Sequence, residues 1–304
     1  MKLSVQSSNI LNKNLDNAKE ALQLIKDCGF TALDLHFPQY DREDIRAGKT
    51  SPFFDKSVDI LLRQYEELGK LAKDMGIEIG QAHAPYPSYV FCEDKAFNDY
   101  LLSTIKKTIK IASSLGAKYI VVHPIFSSDL TKKLDIKTEN EKNMEFYSSF
   151  INILKECNIT MCIENMYAKY KGKIYGDFCS DPYEAVCIID ALNAKAGKEL
   201  FGFCFDSGHT TLAGRDPYRF IKILGNRIKV LHLHDNYGIV DQHFGAFMGV
   251  ANWERICTGL KEIGYTGNIN FETYKLLDAY PEELKKPVLK FLGETGKYLM
   301  NQIK

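Results

Sequence analysis

Ionisable side chains occur near the carboxyl ends of six apolar runs in this sequence. They are His83, His123, Glu164, Asp206, His232 and Glu272. A buried carboxylate or imidazole needs a partner or a metal ion to offset the hydration that it loses. Imidazole and carboxylate groups are also common ligands of divalent metals such as Zn²⁺ and Mn²⁺. If the six runs converge in space, these residue types predict a divalent metal centre.

Three further residues follow two of these runs at short spacings. His209 lies three positions after Asp206, and Asp241 is separated from His243 by one residue. They could complete a second or third metal site. They could equally bind substrate hydroxyls or cap loops, and the spacing leaves both interpretations open. His36, near the end of the run LDLHF, is interpreted as a hydrogen-bonded structural residue outside the site.

The elements that must position these residues alternate between short strands rich in Val, Ile and Phe and helix-length segments. The predicted strands are LSVQSS (3–8), ALDLHF (32–37), IEIGQAHA (77–84), KYIVVHPI (118–125), ITMCIENM (159–166), FGFCFDSG (201–208), IKVLHLHD (228–235) and NINFET (268–273). The predicted helices cover 15–29, 58–76, 94–116, 139–157, 182–194, 253–264 and 281–303. Eight β–α units predict one (β/α)8 TIM barrel over residues 1–304, whose strands converge at their carboxyl ends. A doubly wound open sheet is the alternative, but no G-x-G-x-x-G motif follows the first strand.

The seventh predicted strand carries two histidines on one face. Val230, His232 and His234 share that face, and Leu231 and Leu233 share the other. The leucines are expected to contact the outer helices, so both histidines point towards the barrel axis. His232 is then the deeper of the two and His234 lies nearer the mouth, and either could reach a metal.

The composition is that of a globular protein and gives little support to nucleic acid as a partner. Acidic and basic side chains number 39 each, and only seven of the basic ones are arginine. Affinity for nucleic acid comes from accumulated Lys and Arg, so this class of partner is not favoured. With no signal peptide and no apolar run of membrane-span length, a cytoplasmic protein without membrane contact is expected. The eight cysteines form no C-x-x-C pair and are assigned no role.

Several short stretches together resemble one superfamily along nearly the whole chain. They are QAHAP, VVHP, CIEN, FDSGH, LHLHDN followed by DQH and MGVANW, and NFET. The sequence resembles the xylose isomerase-like barrel superfamily. That superfamily contains sugar and sugar-phosphate isomerases and epimerases, inosose and dehydroshikimate dehydratases, and endonuclease IV.

The resemblance implies a ligand set as well as a fold. It implies that Glu164, Asp206, His232 and Glu272 hold a central metal, and it favours His232 over His234 because the family pattern is His-x-x-Asp or His-x-x-Glu. The three-zinc ligand pattern of endonuclease IV is matched by His83, His123, Glu164, Asp206, His209, His232, Asp241, His243 and Glu272. The implied cofactor is therefore a divalent ion, Zn²⁺ or Mn²⁺, with one or more ions per chain.

The function that this resemblance implies is metal-dependent isomerisation or epimerisation of a sugar, a sugar phosphate or a polyol-derived ketone. Glu164 and Glu272 are expected to move the proton at the α carbon, and His83, His209 and His234 to bind substrate where they are not ligands. A dehydratase of the same family would share the first step. The alternative from another class is an endonuclease IV-like zinc phosphodiesterase acting at abasic sites in DNA. A homodimer is expected from the resemblance alone.

Two segments depart from the family pattern or stand outside it. The frequent G-x-G before the tryptophan of the seventh loop is replaced by Phe247-Met248-Gly249, which leaves the conformation of that loop open. The tract YAKYKGKIYG (167–176) is basic and aromatic. It is compatible with binding a phosphate or a sugar ring, although most such tracts are solvated loops.

Overall fold

The fold is described by a computed structural model that covers residues 1–89, 95–125 and 135–304. Its strands are β1 (Leu3–Gln6), β2 (Ala32–His36), β3 (Glu78–His83), β4 (Tyr119–Val121), β5 (Thr160–Glu164), β6 (Tyr167–Tyr170), β7 (Lys173–Gly176), β8 (Phe201–Asp206), β9 (Ile228–His232) and β10 (Ile269–Phe271). Eight of them form one parallel sheet in the order β10-β1-β2-β3-β4-β5-β8-β9. A parallel bridge between Leu233 and Phe271 brings the two ends of the sheet together. The predicted (β/α)8 barrel is therefore confirmed.

Helices surround the sheet, and each predicted helix has a counterpart. They are α1 (Ala18–Asp27), α2 (Arg42–Arg46), α3 (Val58–Met75), α4 (Lys95–Ser114), α5 (Ile136–Ser148), α6 (Ile151–Cys157), α7 (Pro182–Ala196), α8 (Ser207–Leu212), α9 (Pro217–Leu224), α10 (Trp253–Glu262), α11 (Tyr274–Asp278) and α12 (Glu282–Ile303). The first predicted residue of α4, position 94, lies outside the described residues. No helix in the described ranges is both long and apolar enough to span a membrane.

The helix predicted over 139–157 was wrong in one respect, because the structure divides it into α5 and α6. The hydroxyl of Ser149 donates a hydrogen bond to the carbonyl oxygen of Phe146 at 2.6 Å. A side-chain donor of this kind competes with the backbone for helical carbonyls. At this point the first helix ends at Ser148 and the second begins at Ile151.

The apolar residues pack in two places, inside the barrel and between the barrel and its helices. Val230 packs inside the barrel with Val121, Cys162 and Cys204. Leu231 and Leu233 belong instead to the large core between sheet and helices. The two faces predicted for this strand are therefore confirmed, and residues with the parity of Val230 point inwards.

The loop between β9 and α10 has a left-handed backbone conformation at Phe247, where a G-x-G motif would place its first glycine. Phe247 has a φ of 70°, in the left-handed region that favours glycine. At Gly249 a Cβ atom would overlap the carbonyl oxygen of Asn236, so the second glycine is needed for close approach. The ring of Phe247 lies 5.7 Å from that of Trp253 and 5.9 Å from that of Tyr298, contacts that help to hold it there.

Candidate metal centre

The barrel brings the predicted ligands together at the carboxyl ends of its strands. Glu164, Asp206 and His232 are the last residues of β5, β8 and β9, and Glu272 follows β10. These four residues each offer a ligand atom within 4.8 Å of the others. Nδ1 of His232 lies 3.0 Å from Oε1 of Glu164 and 3.6 Å from Oε2 of Glu272. We refer to these four residues as the central cluster.

The central cluster carries more negative charge than its surroundings balance. All four side chains are buried. Within the described ranges, Glu164, Asp206 and Glu272 pair only with histidines and with no Lys or Arg. Three buried carboxylates facing one another repel unless protons or a cation intervene. The donor set therefore fits a divalent cation.

The pKa values of the three carboxyl groups diverge. Burial opposes ionisation of Glu164, but His232 and His123 outweigh it and hold the pKa of this carboxyl well below its usual range. Burial raises the pKa of Asp206 to about 7, with His209 opposing and Glu164 adding to the rise. Burial also raises the pKa of Glu272 well above its usual range, with repulsion from Glu164 contributing. Without a cation, protons therefore occupy part of the cluster at neutral pH.

A second group of atoms with metal-ligand spacing lies on the other side of Glu164. Nε2 of His123 is 3.0 Å from Oε2 of Glu164 and 3.2 Å from Nε2 of His83. The distance from Nε2 of His83 to Oε2 of Glu164 is 3.9 Å. Ligands around one tetrahedral zinc lie roughly 3.3 Å apart, given bonds of about 2.0 Å. The geometry of His83, His123 and Glu164 thus matches a metal-binding triad.

A third group includes His234, which the structure places deep among the ligands. Its side chain is fully buried, its ring stacks on that of His243 at 4.1 Å, and its Nε2 lies 3.0 Å from Oδ2 of Asp206. Its Nδ1 and Oδ1 of Asp241 are buried 3.8 Å apart, and neither has a hydrogen-bond partner among the described residues. Nε2 of His243 contacts Oδ2 of Asp241 at 2.7 Å. His234, Asp241 and His243 together could hold an ion.

Main-chain carbonyls orient three of the histidines in the same way. Nδ1 lies 2.7 Å from the oxygen of Ala84 in His83, 2.9 Å from that of Asn165 in His209, and 2.8 Å from that of Glu272 in His243. A carbonyl only accepts, so each Nδ1 carries the proton and each neutral ring keeps a lone pair on Nε2. This tautomer is the one that a metal ligand needs.

Two residues beside the cluster escaped the sequence reasoning. His36, predicted to be a hydrogen-bonded structural residue, has its Nε2 3.3 Å from Oδ2 of Asp34; its ring also lies 4.7 Å from that of His83, and its Nε2 is 3.9 Å from Oε1 of Glu272. Asp34, two residues earlier on β2, is fully buried and contacts both His36 and His232. The sequence feature that indicates both residues is their spacing of two on β2, which points both side chains into the barrel.

The basic tract 167–176 forms the antiparallel hairpin of β6 and β7. Its first residue, Tyr167, has its ring 5.0 Å from that of His209. Burial decreases along the hairpin, and Tyr170 and Lys173 are exposed. One end of the hairpin therefore borders the ligands, and the other end faces solvent.

Comparisons with known proteins concern the sequence and the fold of this chain. The chain is 25% identical over 281 residues to the uncharacterised protein y4fM of Sinorhizobium fredii, covering 85% of this chain and 81% of that protein. It is 30% identical over 165 residues to a probable endonuclease 4 of Mesomycoplasma hyopneumoniae, and it spans about half the length of that relative, 52%. A crystal structure of a D-tagatose 3-epimerase-like protein superposes with a TM-score of 0.69 at 23% identity, covering 99% of this chain and 100% of that one.

The family itself follows from a match that covers most of the chain. A model of the family described as xylose isomerase-like TIM barrel matches residues 22–292. The matched segment includes every residue of the central cluster and of both neighbouring groups. The chain belongs to the xylose isomerase-like TIM barrel family.

Proposed function

We propose that this protein is a divalent-metal-dependent epimerase or isomerase of a sugar, a sugar phosphate or a related ketone. The observation that carries the proposal is the central cluster, in which Glu164 and Glu272 lie on either side of Asp206 and His232 in the strand order. The names of similar folds support it, because they include L-ribulose 3-epimerase and D-psicose 3-epimerase. Those likenesses, at 14% identity, concern the fold alone.

The proposed reaction is proton transfer at the carbon next to the substrate carbonyl. When bound, the cation supplies a Lewis acid that polarises the carbonyl and favours its enolised form. Glu164 and Glu272 reach the cluster from β5 and from the end of β10, with two strands between them. One group, as a carboxylate, removes the proton from one face, and the other, as a carboxylic acid, donates its own proton to the opposite face, which inverts the carbon; exchange with solvent then restores both groups. His83 and His209 border this space and are proposed to orient substrate hydroxyls where they do not bind metal.

A second candidate is a zinc phosphodiesterase that resembles endonuclease IV. The observation in its favour is the presence of two further groups with metal-ligand spacing beside the central cluster. Several cations could together hold a phosphate and activate water. The balanced charge and the seven arginines weigh against a DNA substrate. A dehydratase would use the first proton transfer and then expel a β-hydroxyl group.

The epimerase proposal is tested with Glu272→Gln. The amide oxygen retains part of the coordinating geometry, but the amide can neither accept nor donate the proton, so turnover of ketoses such as D-tagatose and L-ribulose is expected to fall at least ~10²-fold. In heavy water the wild-type protein is expected to place deuterium on the carbon next to the carbonyl. Glu254→Gln, an exposed change on α10, is the matched control and leaves turnover unchanged. Turnover without deuterium incorporation would rule out proton transfer.

A further inference from the structure

Asp34 is a buried anion beneath the central cluster, with side-chain nitrogens from four strands around it. Its Oδ2 lies 2.9 Å from the amide nitrogens of Gln81 and Asn270. It also lies 3.3 Å from Nε2 of His36 and 3.4 Å from Nε2 of His232. The side chain has no exposure to solvent. A carboxylate in this position requires its neighbours, because burial without partners is strongly unfavourable.

The two amides indicate that Oδ2 of Asp34 accepts hydrogen bonds and does not bind a cation. The amide nitrogen of Asn270 also donates to the carbonyl oxygen of Leu231 at 3.1 Å, so its orientation is fixed independently of Asp34. The N–H that Asn270 donates to Asp34, like that of Gln81, would face any cation bound to Oδ2 and repel it. Asp34, His36 and His232 have the spacing of a metal site, but the donors around Asp34 disfavour that use.

The role of Asp34 follows from the two nitrogens of His232. Nε2 has no hydrogen-bond partner among the described residues, and its contact with an acceptor is the 3.4 Å approach of Oδ2 of Asp34; Nδ1 faces Glu164 and Glu272. A neutral imidazole carries one proton, so a proton held on Nε2 leaves the lone pair of Nδ1 directed into the central cluster. His232 differs here from His83, His209 and His243, whose rings are oriented by main-chain carbonyls.

We infer that Asp34 is a positioning residue that fixes the tautomer and orientation of His232, and thereby the affinity and geometry of a cation in the central cluster. The inference rests on the proposed function, since it assumes that the central cluster binds a cation. Carboxylates that accept the second N–H of a ligating histidine typically change metal affinity about 10–100-fold when they are removed. Asp34 therefore acts on the cation through His232 and needs no contact with the substrate.

Cobalt binding tests the inference without any substrate, because the visible spectrum of bound Co²⁺ reports the geometry of its ligands. Asp34→Asn keeps the shape of the side chain and removes its charge, and we expect Co²⁺ affinity to fall about 10–100-fold with a changed spectrum. Asp235→Asn is the matched control. Asp235 is equally buried, but it accepts from Trp253, Ala251 and Asn236, and so its loss lowers stability without changing the spectrum.

Each outcome of this experiment has a distinct meaning. Equal affinity and equal spectra for Asp34→Asn and the wild type overturn the inference. A wild-type protein that binds no Co²⁺ overturns the proposed function instead. If Asp34→Asn does not fold, ¹⁵N-histidine NMR of the Zn²⁺-loaded wild type decides, with His232 assigned by comparison with His232→Gln. A proton on Nε2 of His232 supports the inference, and a proton on Nδ1 refutes it.

Discussion

The histidines of this site differ in what holds each ring in place. His83, His209 and His243 are fixed by main-chain carbonyls, which do not depend on the identity of any side chain. His232 and His234 contact carboxylates instead. A ring fixed by backbone keeps its tautomer when neighbouring side chains change. Substitution of neighbouring side chains should therefore change the orientation and tautomer of His232 and His234 more than those of the other three histidines.

Replacing these two histidines separately should distinguish two cations. His232→Ala removes a member of the central cluster, and we expect occupancy of the tightest Co²⁺ site to fall sharply. His234→Ala should leave that site nearly intact, because His234 contacts Asp206 and Asp241 but is not one of the four residues that converge there. Only a further, weaker ion, which would be held by His234, Asp241 and His243, should be lost. Elemental analysis and Co²⁺ titration measure both, and reversed effects would mean that the directions of these two rings, at the end of β9 and just beyond it, are misassigned.

Because the pKa values of both Asp206 and Glu272 are raised, metal affinity should decrease as the pH falls. Burial raises the pKa of Asp206 to about 7, so below that pH the metal-free carboxyl holds a proton that a cation must displace. Burial lowers the pKa of His123 to about 4, with Glu164 opposing, so this ring stays neutral over the same range. Each displaced proton weakens binding about tenfold per pH unit. Titrations between pH 6 and 8 check this slope, and Asp206→Asn should flatten it.

At the scale of elements, the junction between β8 and α8 links helix capping to the metal centre. Asp206 ends the strand and caps the helix, where its Oδ1 accepts from the backbone N–H of His209 at 2.6 Å. Its Oδ2 remains directed at His234. One carboxylate thus helps to begin the helix and contributes to the site. Gly208 completes the junction, because a Cβ atom there would overlap the ring of His234.

Gly208→Ala should therefore displace the ring of His234, because the added Cβ atom would occupy part of the same space. We expect it to destabilise the protein by about 1–3 kcal/mol and to lose the further ion while retaining the central one. Gly69→Ala is a suitable control, since its Cβ atom would meet only the terminal methyl group of Leu115. Thermal unfolding and metal counting report the two effects. Full metal content in Gly208→Ala would show that His234 does not bind the further ion.

The sequence predicts the barrel and its inward residues well, because both depend on local periodicity. The eight strands were recognisable from apolar runs, and the parity of β9 separated His232 from Leu231. The features that the sequence does not predict depend on contacts between distant parts of the chain. Asp34 meets Asn270 only because β1 brings β2 and β10 together in the closed sheet. The hairpin 167–176 escaped because its lysines and tyrosines resemble an ordinary solvated loop.

For the whole molecule, the charge balance predicts weak interaction with DNA. Acidic and basic residues are equal in number, so few phosphates can be neutralised at once. We expect no binding to abasic-site duplex tighter than a Kd of ~10 μM at about 150 mM salt. Fluorescence anisotropy with the metal-loaded protein measures this, with undamaged duplex as the control. Tight binding with strand cleavage would favour the phosphodiesterase over the epimerase.

The closure of the barrel also determines when the protein can acquire its cation. β1 pairs with β10 in a register that joins Leu3 to Ile269, and Glu272 follows directly after that strand. Pairings between such distant segments form slowly, because most of the chain must be ordered first. During synthesis Glu272 is also the last of the nine predicted ligands to leave the ribosome. We therefore expect a nascent chain to lack the complete central cluster, so that stable metal loading follows translation.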